Sequence, residues 1–295
     1  MYKFSAFVLL VSSLLVLSCK SDSKQPQDTT PAEDISTAVE TIDSTVIDST
    51  RKLDKDIVVN PLNRITLEES PDDSGDLADY LSSRSIRHDE DQYLLDFDYP
   101  FLDETANSKF AAFNNYLVKE VVNAEEISAQ ILEDRELLCD SLRTETYREK
   151  RYIDYKIYNT KTRLLSVLFY KENFYSGAIK PAFSYETVNF DLDQQKRLMY
   201  EDVFVKNSEE EVYFVINAAI SDAIDRGDLH YDCFPIEKED FEYYKHNFVI
   251  DSLFLTYYFD DCSICPAYVG SYSIAIPLVK LIPQLNNFSK NQFLI

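Results

Sequence analysis

The chain changes character near Ile86, and that break limits what can fold. Before it, Lys20–Pro31 is polar and non-periodic, and Ser, Thr and Asp alternate with isolated Ile and Val as far as Thr50. A segment this poor in apolar clusters cannot offset its ordering entropy, so residues 20–85 read as a disordered acidic linker. Short local structure is expected at most in segment 56–67. Random-coil scaling puts the linker's two ends on the order of 40–50 Å apart. From Ile86 onward, aromatic and β-branched runs recur at regular periods, and the fold is expected there, over 86–295.

The N-terminus carries a second constraint. Lys3 precedes an apolar stretch from Phe4 that ends in Leu15-Val16-Leu17-Ser18-Cys19. Charge, apolar core, small residue and Cys, in that order, form a bacterial secretory signal with a lipobox. The stretch is about 14 residues, too short for a spanning helix. Residues 1–18 are therefore expected to be a signal peptide and Cys19 the lipidated (palmitate-bearing) anchor. The product would be a lipoprotein of the bacterial cell envelope, facing the periplasm or the cell surface.

Charge narrows the partners. The formal net charge is −23, of which residues 20–85 contribute −8 and residues 86–295 contribute −16. A field of that sign repels nucleic acid and anionic lipid and attracts basic proteins. Only 4 Gly argue against phosphate-cradling loops, and 3 His without a shared motif argue against a metal centre. No cofactor and no metal are expected.

The periods give the elements. Gln92–Tyr99 reads as a strand. Phe110, Phe113, Leu117, Val118 and Val121 form the stripe of a helix over about 105–122, and Ile127, Ile131, Leu132, Leu138 and Leu142 suggest a second. Strands follow at 153–157, 164–170 and 183–190. Ser208 and Glu211 form a capping box for a helix that Gly227 terminates, with Val212, Val215, Ile216, Ala219, Ile220 and Ala223 as its stripe. Strands at 248–250, 253–259 and 271–276 close the chain, and Pro277 opens a short helix. Strands interleaved with helices and joined by hairpin-length turns favour α+β: antiparallel-rich sheets flanked by amphipathic helices.

An ordered set of segments runs through the folded part: Leu165–Tyr170, the turn Tyr175-Ser176-Gly177-Ala178, Thr187–Asp191, Tyr200–Phe204, Phe248–Leu255, Pro266–Gly270 and Ser273–Leu278. In this order they resemble a family of extracytoplasmic bacterial domains, the sensor domain of RsiV-type anti-sigma factors and the companion domain of PdaC-type peptidoglycan deacetylases. Together they cover about Ile86–Leu285, in a first half 86–160 and a motif half 161–285. The resemblance implies a non-enzymatic α+β binding domain, lysozyme-binding in the RsiV type. The chain departs from that family where its turn usually carries a His, because Ile179 and Lys180 follow Ala178. Cys262 and Cys265 are a further departure.

The candidate chemistry is sparse. Cys139, Cys233, Cys262 and Cys265 are an even set in an exported chain, which favours structural disulfides, with a loop from Cys233 to the 262/265 pair. The redox reading of Cys262-Ser263-Ile264-Cys265 is disfavoured by Asp260 and Asp261, which oppose a thiolate. A four-cysteine zinc site would have only one close pair. His230-Tyr231-Asp232-Cys233 invites a Cys-His nucleophile, which disulfide pairing would remove. Paired acids such as Asp191/Asp193 and Asp260/Asp261 admit calcium or a carboxylate-based hydrolase, and no motif supports either. The expectation is a binding surface near the turn and the acidic loop, using Tyr175, Ser176, Gly177, Lys180, Asp260, Asp261 and Tyr268. Its ligand would be a basic envelope protein of the lysozyme kind or, alternatively, cell-wall glycan.

Overall fold

Leu164–Phe174 is the strand around which the molecule is layered, and its first seven residues are all buried. A strand with apolar side chains on both faces must be covered on both faces. In this computed structural model, which describes residues 58–62, 72–137, 148–159, 163–287 and 289–290, it is. Cys19, Cys139, Leu138 and Leu142 lie outside the described residues. Those that are described belong to one unit, Lys52–Ile295.

Among the described residues ten strands form two sheets. The larger holds β2 (Leu81–Asp89), β3 (Tyr93–Leu102), β4 (Glu149–Asn159), β5 (Leu164–Phe174), β6 (Ala182–Asp191) and β7 (Lys196–Leu198), in that order. All its pairings are antiparallel except β3–β4, which is parallel. The parallel pair is joined by two helices, α1 (Phe110–Tyr116) and α2 (Ala124–Leu137), as a crossover connection requires. The smaller sheet is antiparallel, in the order β1 (Val58–Leu62), β10 (Ser271–Pro277), β9 (Phe254–Tyr258), β8 (Phe248–Ile250). The α+β class is therefore as expected. Residues 58–62 form β1 inside the segment 56–67, where short local structure is expected. Residues 72–85, read from composition as tether, also lie in the folded body, because β2 joins its sheet by backbone pairing, which a polar composition does not forbid. Among the described residues no helix is long and apolar enough to cross a membrane.

Three apolar clusters define the layers. Leu165, Val167 and Phe169 on one face of β5 pack with α1 through Phe113 and Leu117. Leu168 and Tyr170 on the other face meet Val249 and Tyr258 of the smaller sheet. The far face of that sheet, with Phe248, Tyr257 and Ile274, packs on α4 (Glu209–Arg226) through Val212, Ile216 and Ile220. The order is helices, sheet, sheet, helices. A short helix α3 (Tyr200–Val203) precedes α4, and α5 (Lys238–Tyr244) follows it.

Local details depart from the pattern. After α1 the chain makes a π turn at Leu117–Val121. The extra residue rotates the stripe, so Leu117 and Val121 are buried whereas Val118 is 45% exposed. Ser208 caps no backbone N–H; its hydroxyl is hydrogen-bonded to the Tyr200 hydroxyl at 2.9 Å. Gly227 does close α4, in the left-handed region at φ +78°.

Candidate functional site

The two sheets meet through side chains that clasp a strand edge. β8 lies at the edge of the smaller sheet and pairs on one side only. On its other side, Asn189 donates to the Phe248 carbonyl (2.7 Å), Thr187 to the His246 carbonyl (3.3 Å), and the Ile250 N–H donates to Ser166 Oγ (3.2 Å). An unpaired edge buried in the interior would otherwise leave costly orphan groups.

The edge of β6 is treated in the same way, and a cleft forms there. β7 covers only Asn189–Asp191 of β6. Beyond it, Tyr185 donates its N–H to Asp260 Oδ1 (2.8 Å) and accepts at its carbonyl from Asn247 (2.8 Å). Arg197 reaches back to the Thr187 carbonyl (3.2 Å). The resulting cleft is about 320 Å³ and is lined by Lys171, Arg197, Tyr243, Tyr244, His246 and Asp260, among others.

Electrostatics in the cleft are mutually compensated. Lys171 pairs with Glu186. Asp260 also accepts from the Tyr244 hydroxyl (3.2 Å), and burial, against those hydrogen bonds, pushes its carboxyl above the usual carboxylate range. Burial pushes the Tyr244 phenol up to about 12. His246 accepts the Tyr200 N–H at Nδ1 (3.1 Å), which leaves the ring proton on Nε2. Burial lowers its pKa. Every acid here already has a partner, the Tyr244 hydroxyl is also bonded to Ser263 (2.8 Å), and the spare hydrogen-bonding capacity lies with Lys171, His246 and the exposed Tyr243.

Across the β5–β6 hairpin lies a second depression, a groove of about 520 Å³. Glu126, Gln130 and Asp134 recur at helical spacing along α2 and form one wall; Arg151, Lys171 and Tyr175 form the other. Lys171 lines both depressions.

The residues expected to bind ligand fall in three places. Tyr175, Ser176, Gly177 and Lys180 lie at the hairpin tip. There the Arg151 guanidinium sits 4.1 Å over the Tyr175 ring, and Ser176 donates its N–H to Glu149 (3.4 Å). Gly177 turns the chain at φ +82°, and Lys180 is exposed. Asp260 lines the cleft, whereas Asp261 does not and accepts from the Ser271 hydroxyl (2.7 Å). Tyr268 stands apart, 71% exposed, with its hydroxyl donated to Asp232. The tip and the cleft are neighbours along β5 and β6, and Tyr268 joins neither.

Of the cysteines described, Cys233 and Cys265 are disulfide-bonded, and Cys262 is free and exposed. Cys262 was a disulfide candidate and is not paired here. Cys262 occupies a left-handed turn at φ +66°, while the Phe234 N–H bonds to the Ile264 carbonyl (2.9 Å) and brings Cys233 beside Cys265. Among the described residues no group of three or more His, Cys, Asp or Glu is placed to hold a metal ion.

Lys171, Arg197 and His246 do not stand out in the sequence. Nothing local marks them; they lie on β5, on β7 and before β8, and only the short reach of β7 brings them together. The tyrosines divide between core and surface. Tyr170, Tyr185, Tyr244, Tyr257 and Tyr258 are buried, and Tyr175, Tyr243 and Tyr268 are exposed.

No protein-family model and no curated protein matches the chain. Crystal structures of DUF3298 family proteins are among those similar to it. One is a DUF3298 family protein from Pseudomonas aeruginosa PAO1, with TM-score 0.50 and 16% identity over 72% of this chain and 97% of that one. Another is a member of the DUF3298 family from Bacteroides fragilis NCTC 9343, with TM-score 0.44 and 16% identity over 70% and 94%. At such identity the likeness is one of fold, and the chain shares its α+β fold with the Pseudomonas DUF3298 protein.

Proposed function

We propose that this protein is a lipid-anchored envelope protein whose domain works by binding, without catalysis, and that its partner is a basic envelope protein of the lysozyme kind. The observation that carries the reading is the acidic wall of the groove beside Tyr175. Glu126 and Asp134 lie on one helix face, in a domain that carries −16 over residues 86–295. A cationic surface would meet that wall with its lysines and arginines and be steered there by the field of the whole domain. Tyr175, 49% exposed at the groove's rim, supplies a flat amphipathic contact. The anchor at Cys19 would hold the domain at a membrane, where such a partner arrives.

The non-catalytic reading is supported by how the acids of the cleft are engaged. Glu186 is held by Lys171, and Asp260 by a backbone N–H and a phenol, so neither is poised as a base toward an open position. The test is muramidase activity in the presence of excess purified protein at low salt. The reading expects inhibition. Unchanged lysozyme activity would contradict it.

A further inference from the structure

Tyr231 and Tyr268 are 78% and 71% exposed, among the most exposed aromatic side chains of the described residues. They are not loose. The His230 ring lies 4.2 Å from Tyr231, inclined by 32°, and 6.0 Å from Tyr268, nearly perpendicular to it. The Tyr268 hydroxyl donates to the Asp232 carboxylate. The Asp232 N–H donates to His230 Nδ1 (3.2 Å), so the neutral ring carries its proton on Nε2 as a donor. The Cys233–Cys265 bond ties together the two loops that carry these residues. Two aromatic faces are thus presented already ordered, so that binding costs little further entropy.

We propose that this disulfide-pinned cluster, His230, Tyr231, Asp232 and Tyr268, is a carbohydrate-binding platform for a β-linked pyranose chain. A pyranose with equatorial substituents has a flat C–H face, which stacks on an aromatic ring, and a rim of hydroxyls. The cluster offers the complement: two phenol rings for the faces, the remaining Asp232 lone pairs as acceptor and His230 Nε2–H as donor for the rim. The single carboxylate is already bonded to Tyr268, so the cluster presents ring faces rather than a bare anion, which favours a neutral sugar over a cationic side chain. The site lies apart from the groove assigned to a basic protein, and either assignment stands without the other.

The test is calorimetric titration of the purified full chain with tetra-N-acetylchitotetraose and with cellotetraose. Tyr231→Ala, Tyr268→Ala and Tyr268→Phe are compared with Phe214→Ala, which removes an exposed aromatic elsewhere, on α4. Circular dichroism checks that each variant folds. We expect binding of at least one oligosaccharide, weakened about tenfold or more by Tyr231→Ala and by Tyr268→Ala. Tyr268→Phe keeps the ring and should lose less, and Phe214→Ala should change nothing. The absence of binding to either sugar at millimolar concentration would overturn the proposal, as would equal losses in Tyr231→Ala and Phe214→Ala. Should Tyr231→Ala instead abolish binding of a basic lysozyme while no sugar binds, the cluster would be a protein contact and the carbohydrate assignment wrong.

Discussion

Ser166 and Asn189 stand opposite each other on β5 and β6, and their side chains are hydrogen-bonded at 2.5 Å in the buried seam between the two sheets. Each also reaches across the seam to β8, Ser166 to the Ile250 N–H and Asn189 to the Phe248 carbonyl. These two small polar residues, with buried Thr187 beside them, thus satisfy the exposed edge of the neighbouring sheet and fix its register. Asn189→Ala leaves the Phe248 carbonyl and Ser166 short of partners. It should cost about 1–3 kcal/mol, read as a lower urea midpoint at unchanged slope.

The hydroxyl of Tyr257 is fully buried and has no hydrogen-bond partner among the described residues. Tyr257→Phe removes that orphan and keeps the ring against Phe248 and Phe259. The variant should be at least as stable as the parent, by up to about 1–2 kcal/mol. A thermal melt shifted downward would show that the hydroxyl has a partner.

Gly227 ends α4 at φ +78°, and a Cβ there would meet nothing within 4 Å. The cost of Gly227→Ala is therefore one of backbone conformation alone, about 1 kcal/mol. Gly227→Asn should recover part of it, because Asn tolerates the left-handed region. Chemical denaturation of the three proteins checks the order Gly, Asn, Ala.

The Cys233–Cys265 disulfide spans 32 residues, including α5 and both strands β8 and β9. Chain entropy puts its contribution at roughly 3–4 kcal/mol. Reduction should lower the melting temperature accordingly. In the native protein, alkylation followed by peptide mapping should modify Cys262 and spare Cys233 and Cys265.

His246 is held neutral by burial and by the Tyr200 N–H at Nδ1. Its folded pKa lies below the unfolded value of about 6.5. As pH falls through the unfolded pKa, the unfolded chain takes up a proton that the folded chain refuses, so stability falls. The loss continues until pH reaches the folded pKa. His246→Asn, whose side-chain oxygen can still accept from Tyr200, should flatten the stability profile between pH 7 and the folded pKa. Equal slopes in the two proteins would show that His246 titrates normally.

Much of this fold was legible because its strands are apolar on one face or both. β3, β4, β5, β6, β8, β9 and β10 all announce themselves by alternation or by apolar runs, and α4 by its stripe and Gly227. β2 did not, since only scattered positions in Leu81–Asp89 are even partly buried. It is an edge strand, held mainly by backbone pairing to β3. α5 is seven residues of mostly charged and aromatic character, too short to show a period. The π turn that exposes Val118 depends on packing, and no spacing rule yields it. The candidate sites were less legible still. Tyr175 and Asp260 could be named from their place in loops. Lys171, Arg197 and His246 are separated in sequence and meet only because β7 stops short of Tyr185 on the edge of β6.

Binding of a basic lysozyme to the purified chain, titrated by calorimetry at about 50 and about 300 mM salt, decides whether the groove beside Tyr175 is a specific interface. The higher salt shortens the screening length to roughly half that of the lower. Micromolar or tighter binding is expected, persisting at the higher salt and weakened when Tyr175 is truncated or the groove acids Glu126 and Asp134 are neutralised. Binding that vanishes with salt, and is indifferent to those residues, would mean that the charge of the domain merely attracts a cation and would contradict a specific interface.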